Sequence, residues 1–402
     1  MSHFIVVGAG QAGASLVAKL RNDGFQGDIT LIGSEAEIPY QRPPLSKAYL
    51  LGEMARERLH LRPESFYHDL KVTLRLGAPV DAIYAISKTV TVAGETLSYD
   101  KLAITTGSSP RVLPAAIGGQ LRKVFRVRSL ADVDAMAPHF RKDARLLIVG
   151  GGYIGLEAAA VAAKRGVDTT LIESADRILR RVAAPETSNY FRALHASHGV
   201  KIREGLGLER LLGTTEVTGA EFSNGTQEAF DFVIVGIGVT PGNLLAESAG
   251  LAIENGIKTD STGQTSDPNI WAAGDCASLP YKGGRIRLES VPNAIDMAEV
   301  VARNMMGAQV EYVPKIWFWS DQYNVKLQIA GLNTGYDRVI VRQGETENSQ
   351  SHWYYQNGTL LAVDAMNDPR AYMIGKRLIE AGRTPNPAAI SDLSTNLKAL
   401  LS

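Results

Sequence analysis

The sequence predicts an α/β protein built from two similar βαβ units and a smaller α+β domain. A short β-branched strand, a glycine-rich turn and an apolar helix follow one another near the N-terminus, and the same order recurs from residue 146. The segment after residue 313 instead alternates apolar and polar side chains, which is typical of antiparallel strands. At 402 residues the chain has room for two or three domains.

Composition and charge exclude several classes of protein. Hydrophobic residues make up 45% of the chain and charged residues 21%, as expected of a globular protein in water. Lysine plus arginine and aspartate plus glutamate each total 42, so the formal net charge of zero argues against a nucleic-acid partner held by bulk charge. The sequence has neither the ~20 apolar residues of a membrane span nor a secretory signal, so we expect a cytoplasmic protein.

The first βαβ unit contains a glycine-rich turn at residues 8–13, the first glycine loop. A buried strand precedes the loop, and a helix, a second strand and Glu35 follow it, which is the dinucleotide-binding fingerprint in full. Gly8 permits the tight turn, Gly10 lets the backbone approach a pyrophosphate, and Gly13 lets helix and strand pack closely. A pyrophosphate would lie at the helix N-terminus, where free N–H groups point outward. Glu35 lies at the distance of an acid that reaches a ribose hydroxyl.

The same arrangement recurs at residues 150–155, the second glycine loop, and ends at Glu173. Two complete fingerprints predict two Rossmann-type domains and suggest that one chain binds two nucleotides that exchange a hydride. A carboxylate accepts hydrogen bonds from a ribose 2′-hydroxyl and repels a 2′-phosphate, so Glu173 favours NADH over NADPH. Arg177, Arg180 and Arg181 lie nearby in the sequence and keep NADPH open.

The segment at residues 39–47 is stiffened by its prolines and carries Arg42 and Lys47 towards the first nucleotide. These cations could lie on an ordinary solvated loop. Beside a flavin, a lysine could instead stabilise negative charge on the reduced ring.

The elements between the two fingerprints and after the second one suggest where the domains divide. A helix-rich stretch at residues 57–70 precedes predicted strands at 72–76, 80–86, 89–92 and 99–108, and a Pro- and Gly-rich linker follows at 109–120. The strand at residues 232–238 ends in glycine, like the strand at 99–108, so the two strands bracket an inserted domain. The predicted domains are residues 1–108 with 239–313, residues 109–238, and residues 314–402.

Two later segments carry candidate site residues. A strand and turn at residues 269–277 present Asp275, either as a structural turn residue or as an acceptor for a cofactor hydroxyl. Residues 289–294 open a helix with Ser290 or Val291 near its N-cap, and that positive helix end could stabilise an anionic reduced flavin. Cys276 is expected to be a small packed residue.

The C-terminal domain begins with an aromatic strand at residues 316–323 and continues with four alternating segments and a helix at 369–381. Trp317 and Trp319 point to the same face of this strand. They could pack in the core, or they could form an aromatic wall between a flavin and its electron acceptor.

Five motifs, RPPLSKAYL, GGGYIGLEAA, AAGDCA, ESVPNA and WFWSDQY, carry a resemblance that covers nearly the whole chain. The sequence resembles the FAD-dependent NADH:ferredoxin reductases of the putidaredoxin reductase and rubredoxin reductase type. The resemblance implies a glutathione-reductase-like fold, FAD and NADH as cofactors, and a [2Fe–2S] ferredoxin as the electron acceptor. That ferredoxin would supply a cytochrome P450 or a Rieske oxygenase. The oligomeric state stays open between a monomer and a weak dimer.

The resemblance also implies roles for individual residues. Lys47 and Glu157 would form an ion pair beside the flavin N5, and Tyr153 would cover the nicotinamide face. FAD would be held by Gly8, Gly10, Ala12, Gly13, Glu35, Arg42, Lys47, Val80, Arg128, Asp275 and Val291, with Trp319 beside it. NADH would be held by Gly150, Gly152, Ile154, Gly155, Glu173 and Gly238. No metal site is expected.

Cysteine usage separates the alternatives. Cys276 is the single cysteine, so the flavin cannot pass electrons to a redox-active cysteine pair as in the thiol-disulfide members of this fold. A flavin-only NADH oxidase that reacts with O₂ stays open. A flavin-binding signalling protein of the apoptosis-inducing factor group would be favoured by a basic surface or a targeting segment. Acidic ferredoxins would be met by basic residues, for which sequence proximity suggests Arg285, Arg287 and Lys315.

Overall fold

The structure is a computed structural model that describes residues 2–401, and it divides into two compact units. Unit 1 comprises residues 1–42, 55–109 and 239–315, and unit 2 comprises residues 43–54, 110–238 and 316–402. The division into three domains stays a prediction. The segment at residues 43–54 groups with unit 2, although the sequence placed it with the first nucleotide-binding domain.

Unit 1 is built on a five-stranded parallel sheet that contains the first fingerprint. The strands, in spatial order, are Ile270–Ala272, Lys101–Ile104, His3–Val7, Asp28–Ile32 and Val72–Arg75. Helices Gln11–Asn22 and Val291–Met305 pack against each other, and their apolar faces join the core beneath the sheet. The β-branched strands are buried, as a parallel sheet covered by helices requires.

Smaller elements complete unit 1. The helices are Glu64–Asp69 and Leu244–Ser248, with a short 3₁₀ turn at Arg56–Leu59. The further strands are Val80–Tyr84, Thr89–Val92, Glu95–Ser98, Ser108–Pro110, Val239–Pro241, Ile257–Lys258, Ala277–Tyr281 and Gly284–Ile286. The strand predicted at residues 80–86 is shorter and ends at Tyr84, and Ile86 is fully exposed in the turn that follows.

Unit 2 contains a second five-stranded parallel sheet around the second fingerprint. Its strands, in spatial order, are Lys201–Glu204, Asp168–Glu173, Arg145–Val149, Phe232–Val235 and Val124–Phe125. Its helices are Leu130–Met136, Tyr153–Lys164 and Pro185–Ser197, with 3₁₀ turns at Pro43–Ser46, Ala115–Ile117 and Ala137–His139. A small antiparallel sheet is formed by Leu208–Leu212, Gly219–Phe222 and Gln227–Ala229.

The C-terminal part of unit 2 is an antiparallel five-stranded sheet covered by a helix. Its strands, in spatial order, are Trp317–Gln322, Val325–Gly331, Thr359–Met366, Gln350–Gln356 and Arg338–Gln343. Helix Pro369–Glu380 packs on this sheet, and a short helix, Pro387–Ser391, and a 3₁₀ turn, Leu397–Leu401, follow. The predicted fold class, two Rossmann-type sheets with a C-terminal α+β domain, is therefore confirmed. Within residues 2–401, every helix is too short or too polar to cross a bilayer.

Candidate functional site

The first glycine loop has the geometry of a phosphate cradle. A β-carbon added at Gly8, whose φ is +118°, would lie 2.3 Å from the Thr105 carbonyl oxygen, and one at Gly13 would lie 2.0 Å from the Gly8 carbonyl oxygen. A β-carbon at Gly10 would meet nothing within 4 Å. The outer two glycines are therefore required by packing, whereas Gly10 leaves the approach to the helix end open.

The helix that follows this loop offers free donors at its N-terminus. Gly10 is the N-cap of helix Gln11–Asn22, and no side chain among the described residues caps it. The first N–H groups of the helix are thus available to an anion, with the positive helix dipole behind them. The Thr105 hydroxyl donates to the Gly8 carbonyl oxygen at 2.8 Å and fixes the turn.

Glu35 and Arg42, both predicted to bind FAD, are paired in unit 1. Arg42 Nη2 lies 2.6 Å from Glu35 Oε1, and the Tyr40 hydroxyl donates to Glu35 Oε2 at 2.5 Å. The Arg42 guanidinium also lies over the Tyr40 ring, 4.9 Å from its centroid. Since an ionised carboxylate has about four acceptor sites, Glu35 retains capacity for a ribose hydroxyl.

Two further predicted FAD residues, Ala12 and Asp275, lie at the Gly274 turn. A β-carbon at Gly274, whose φ is +80°, would lie 3.1 Å from the Ala12 β-carbon, and Asp275 follows directly. The Asp275 Oδ2 atom accepts a hydrogen bond from the Ser108 hydroxyl at 3.0 Å. Ser290 caps the helix that begins at Val291, as predicted, by accepting from the Asn293 N–H. Val80 lies half-buried at the start of strand Val80–Tyr84.

The second glycine loop repeats the cradle in unit 2. A β-carbon at Gly150, whose φ is +110°, would lie 2.4 Å from the Gly236 carbonyl oxygen, and one at Gly155 would lie 2.2 Å from that of Gly150. A β-carbon at Gly152 would again meet nothing within 4 Å. Gly152 is the N-cap of helix Tyr153–Lys164, which has no side-chain cap among the described residues. Both cradles therefore fit the pyrophosphate of a dinucleotide.

Glu173 is the last residue of its strand, and its carboxylate binds backbone N–H groups, one of them in the second glycine loop. Its Oε2 atom accepts from the Gly151 N–H and its Oε1 atom from the Ala175 N–H, both at 2.8 Å. Ile154 is 43% exposed on the first turn of the helix. The carbonyl oxygen of Gly238, whose φ is +99°, accepts from the Arg111 N–H at 2.9 Å.

The ion pair predicted between Lys47 and Glu157 is present in unit 2. Lys47 Nζ lies 2.8 Å from Glu157 Oε2, and the Glu157 side chain is only 5% exposed. Two hydroxyl groups complete its surroundings. Ser46 donates to Oε2 and Ser320 to Oε1, each at 2.6 Å. Such a buried carboxylate is stabilised by one ammonium group and two hydroxyl donors.

Tyr153 is the first residue of the same helix. Its ring contacts that of Phe318, with 5.0 Å between centroids. Its hydroxyl is buried without a hydrogen-bond partner among residues 2–401. Burial, together with the nearby Asp364 carboxylate, raises the pKa of Tyr153 well above its usual value. The phenol is therefore neutral, and it lacks a hydrogen bond that would hold its ring in place.

The remaining predicted residues are Trp319, Arg128 and the three basic residues suggested for ferredoxin docking. Trp319 is half-buried and stacks on Trp317 with 5.6 Å between ring centroids. Arg128 is half-buried just before helix Leu130–Met136. Arg285 donates to backbone oxygens of Thr259 and Ser278, and Arg287 pairs with Glu289. Of the three suggested docking residues, only Lys315 is exposed and without a side-chain partner among residues 2–401.

Sequence reasoning missed the two serines that bind Glu157. Both lie inside quoted motifs, Ser46 before the lysine of RPPLSKAYL and Ser320 after the second tryptophan of WFWSDQY. Their position in these motifs was the available signal. It could not reveal that both side chains converge on one carboxylate, because Ser320 lies 163 positions away in the chain.

The chain matches two protein families. Residues 2–298 match the pyridine nucleotide-disulphide oxidoreductase family, and residues 317–401 match the reductase C-terminal family.

Individual relatives match along nearly their whole length. The chain is 42% identical to a ferredoxin–NAD(P)⁺ reductase of a Sphingomonas species over 383 residues, 94% of this chain and 92% of the relative. It is 40% identical to the ferredoxin reductase subunit of a 5,5′-dehydrodivanillate O-demethylase of a Sphingobium species, covering 100% of this chain and 99% of the relative. The crystal structure of the covalent putidaredoxin reductase–putidaredoxin complex superposes with a TM-score of 0.95 at 38% identity, covering 100% of this chain and 98% of the other.

Proposed function

The chain belongs to the pyridine nucleotide-disulphide oxidoreductase family and is an FAD-dependent ferredoxin–NAD(P)⁺ reductase, and we propose that it oxidises NADH to reduce a [2Fe–2S] ferredoxin. The observation that carries this proposal is the Lys47–Glu157 ion pair, since Lys47 lies roughly in the part of the sequence where thiol-disulfide members of the fold carry redox-active cysteines. Cys276 is fully buried, and burial raises the pKa of its thiol, so it is not a reactive thiol. Electrons therefore leave the flavin directly.

FAD is assigned to the first glycine loop. Gly10 and the free N–H groups behind it would receive the pyrophosphate, Glu35 a ribose hydroxyl, and Asp275 a further cofactor hydroxyl. Bound FAD supplies the change from two-electron to one-electron transfer, because it takes a hydride from NADH and gives up electrons singly. The end of helix Val291–Met305 would add a positive dipole on the flavin side.

NADH is assigned to the second glycine loop. Gly152 would face its pyrophosphate and Glu173 its adenosine ribose, where a carboxylate disfavours the 2′-phosphate of NADPH. Tyr153 would cover the place of the nicotinamide and move aside when NADH enters. Its hydroxyl has no hydrogen-bond partner in the described part of the chain, which supports a ring that can move.

Lys47 and Glu157 are assigned to the flavin. The Lys47 ammonium would stabilise negative charge that develops during reduction, and Glu157 would hold that ammonium in one position. No acid or base is required for the hydride step, so orientation of the two rings supplies most of the rate acceleration.

The acceptor is proposed to be a small [2Fe–2S] ferredoxin that supplies a cytochrome P450 or a Rieske oxygenase. The names of the relatives support this, because one is the reductase of an O-demethylase and another was crystallised with its ferredoxin, putidaredoxin. The proposed docking region lies near Trp317 and Trp319, and the half-buried Trp319, stacked on Trp317, is its proposed contact, with Lys315 nearby in the sequence. We also propose a cytoplasmic location, where NADH is supplied.

The test is anaerobic stopped-flow mixing of the purified holoenzyme with NADH and then with a [2Fe–2S] ferredoxin encoded in the same genome. We expect fast bleaching of the flavin and ferredoxin reduction much faster than O₂ consumption. An inert ferredoxin with rapid O₂ consumption would instead identify an NADH oxidase. Bleaching with NADPH but not with NADH would contradict the role of Glu173 and leave the rest standing.

A further inference from the structure

A chain of hydrogen bonds runs from the Lys47–Glu157 ion pair through the interior of unit 2. Ser320 Oγ donates to Glu157 Oε1 at 2.6 Å, and Gln322 Nε2 donates to Ser320 Oγ at 3.2 Å. Gln322 Oε1 lies 2.8 Å from His195 Nε2, and the Tyr323 hydroxyl lies 3.0 Å from His195 Nδ1. The three middle side chains are buried, with exposed fractions of 0% for Ser320, 1% for Gln322 and 0% for His195.

Each hydrogen bond in this series has a defined donor and a defined acceptor. The Glu157 carboxylate can only accept, so it takes the single hydroxyl proton of Ser320. The Gln322 amide then donates through its nitrogen and accepts, through its oxygen, the Nε2–H of His195. His195 Nδ1 is left to accept from Tyr323. Burial lowers the pKa of His195 to about 4, so the imidazole is neutral at neutral pH, as this pattern requires.

The two carboxylate oxygens of Glu157 are held from different segments of the chain. Oε2 is bound by Lys47 and by Ser46, which are neighbours in one turn. Oε1 is bound by Ser320, which lies on strand Trp317–Gln322. Ser320 and Gln322 are two positions apart and so share a face of that strand. The plane of the carboxylate is therefore fixed by donors on two separate elements.

We propose that Ser320, Gln322 and His195 are positioning residues that hold the plane of the Glu157 carboxylate and, through it, the Lys47 ammonium. This inference rests on the proposed role of Lys47 at the flavin. A hydrogen bond to a charged group contributes enough free energy that its loss should reduce the aligned population about tenfold. The readout is the reduction potential of the bound flavin, which follows the position of the Lys47 charge and is independent of turnover.

The experiment is a double-mutant cycle on the holoenzyme with Ser320→Ala, Lys47→Met and the double variant. The control is Ser351→Ala, because Ser351 is another fully buried strand serine of the same sheet, bound to Trp353 Nε1 instead of Glu157. If Ser320→Ala does not retain FAD, Ser320→Cys replaces it in the cycle, because cysteine is close to serine in volume and is only a weak donor.

Ser320→Ala is expected to make the flavin midpoint potential more negative and to slow flavin reduction by NADH about tenfold, with an unchanged KM for NADH. In the Lys47→Met background it should change neither quantity, and Gln322→Met should act like Ser320→Ala with a smaller effect. Equal shifts in both backgrounds, or no shift beyond that of Ser351→Ala, overturn the inference. An unchanged potential in Gln322→Met overturns the assignment of Gln322 and His195. If Lys47→Met alone leaves the potential unchanged, the proposed function of Lys47 fails instead.

Discussion

A β-carbon placed at Gly8 would lie 2.3 Å from the Thr105 carbonyl oxygen, and one placed at Gly150 would lie 2.4 Å from that of Gly236. The middle glycine of each loop, Gly10 or Gly152, faces open space in the same way. Each loop opens a helix of 12 residues without a side-chain cap among the described residues. As backbone structures, the two cradles are nearly interchangeable.

The helices that follow the loops differ in their side chains. Gln11 directly follows the middle glycine of the first loop, and its amide donates to Ser15 at 3.4 Å on the helix surface. At the matching positions of the second helix are Tyr153, against Phe318, and Glu157, buried in its pair with Lys47. Backbone geometry alone thus fits a pyrophosphate, whereas on the proposed assignment the side chains of the first helical turns distinguish FAD, which stays bound, from NADH, which must enter and leave.

The largest expected effect comes from closing each cradle in turn. Gly10 and Gly152 have extended backbones, with φ of −97° and −81°, which valine tolerates. Gly10→Val should block the pyrophosphate approach, cost two or more charge-assisted hydrogen bonds, and weaken FAD binding more than ~100-fold. Gly152→Val should leave a yellow protein with a KM for NADH at least ~10-fold higher. Flavin absorbance after purification measures FAD retention, steady-state kinetics give the KM for NADH, and circular dichroism checks that each variant is folded. The reverse pattern would exchange the two assignments.

A second prediction concerns Asp364, the buried acid whose charge acts on Tyr153. Burial raises the pKa of Asp364 to about 6, and the Thr187 and Tyr354 hydroxyls donate to it. A carboxyl whose pKa is raised by folding destabilises the folded state as pH rises from about 4 to about 6. Asp364→Asn removes this ionisation and should stabilise unit 2 by about 3 kcal/mol above pH 7.

Chemical denaturation at several pH values measures this effect. The difference between Asp364→Asn and the parent should grow from pH 4.5 to pH 7 and then level off. His195, whose pKa is lowered by burial to about 4, destabilises both proteins as pH falls below 6.5, so its contribution cancels in the difference. A difference that is independent of pH would show that Asp364 does not ionise in this range.

The acids that follow or end the second strand of each βαβ unit, Glu35 and Glu173, provide the third test. Glu35 is bound by side chains, Arg42 and Tyr40, whereas Glu173 is bound by the backbone N–H groups of Gly151 and Ala175. Glu173→Arg should lower kcat/KM for NADH about tenfold and raise it for NADPH, because a cation replaces the charge that repels a 2′-phosphate.

Glu173→Gln separates the charge from the support of the loop. It keeps the size and one acceptor oxygen, so it should weaken NADH use without improving NADPH use. Glu35→Gln should lower FAD retention and leave the nucleotide preference unchanged. An unchanged preference in Glu173→Arg would remove Glu173 from the ribose site.

The sequence was sufficient for features that depend on short-range patterns. A strand at residues 4–7, a helix cap at Ser290 or Val291 and the antiparallel strands after residue 316 were all predicted, because glycine turns, caps and period-two alternation are local signals. The Lys47–Glu157 ion pair was predicted only through the resemblance to a family of reductases. The surroundings of Glu157 could not be predicted, since the register that brings Ser46 and Ser320 together depends on contacts over 111 and 163 positions.

The smallest expected effect concerns Trp319, on the aromatic strand that contacts helix Tyr153–Lys164. Trp317 packs against the C-terminal core next to Tyr372, 6.4 Å between ring centroids, whereas Trp319 is half-buried and is not part of that core. Trp319→Ala should therefore slow ferredoxin reduction a few-fold, about 1 kcal/mol, and leave ferricyanide reduction unchanged. Trp317→Ala is the matched control and should lower thermal stability while slowing both acceptors equally. Equal slowing by Trp319→Ala as well would assign both tryptophans to packing, and the docking region would then have to be sought away from this strand.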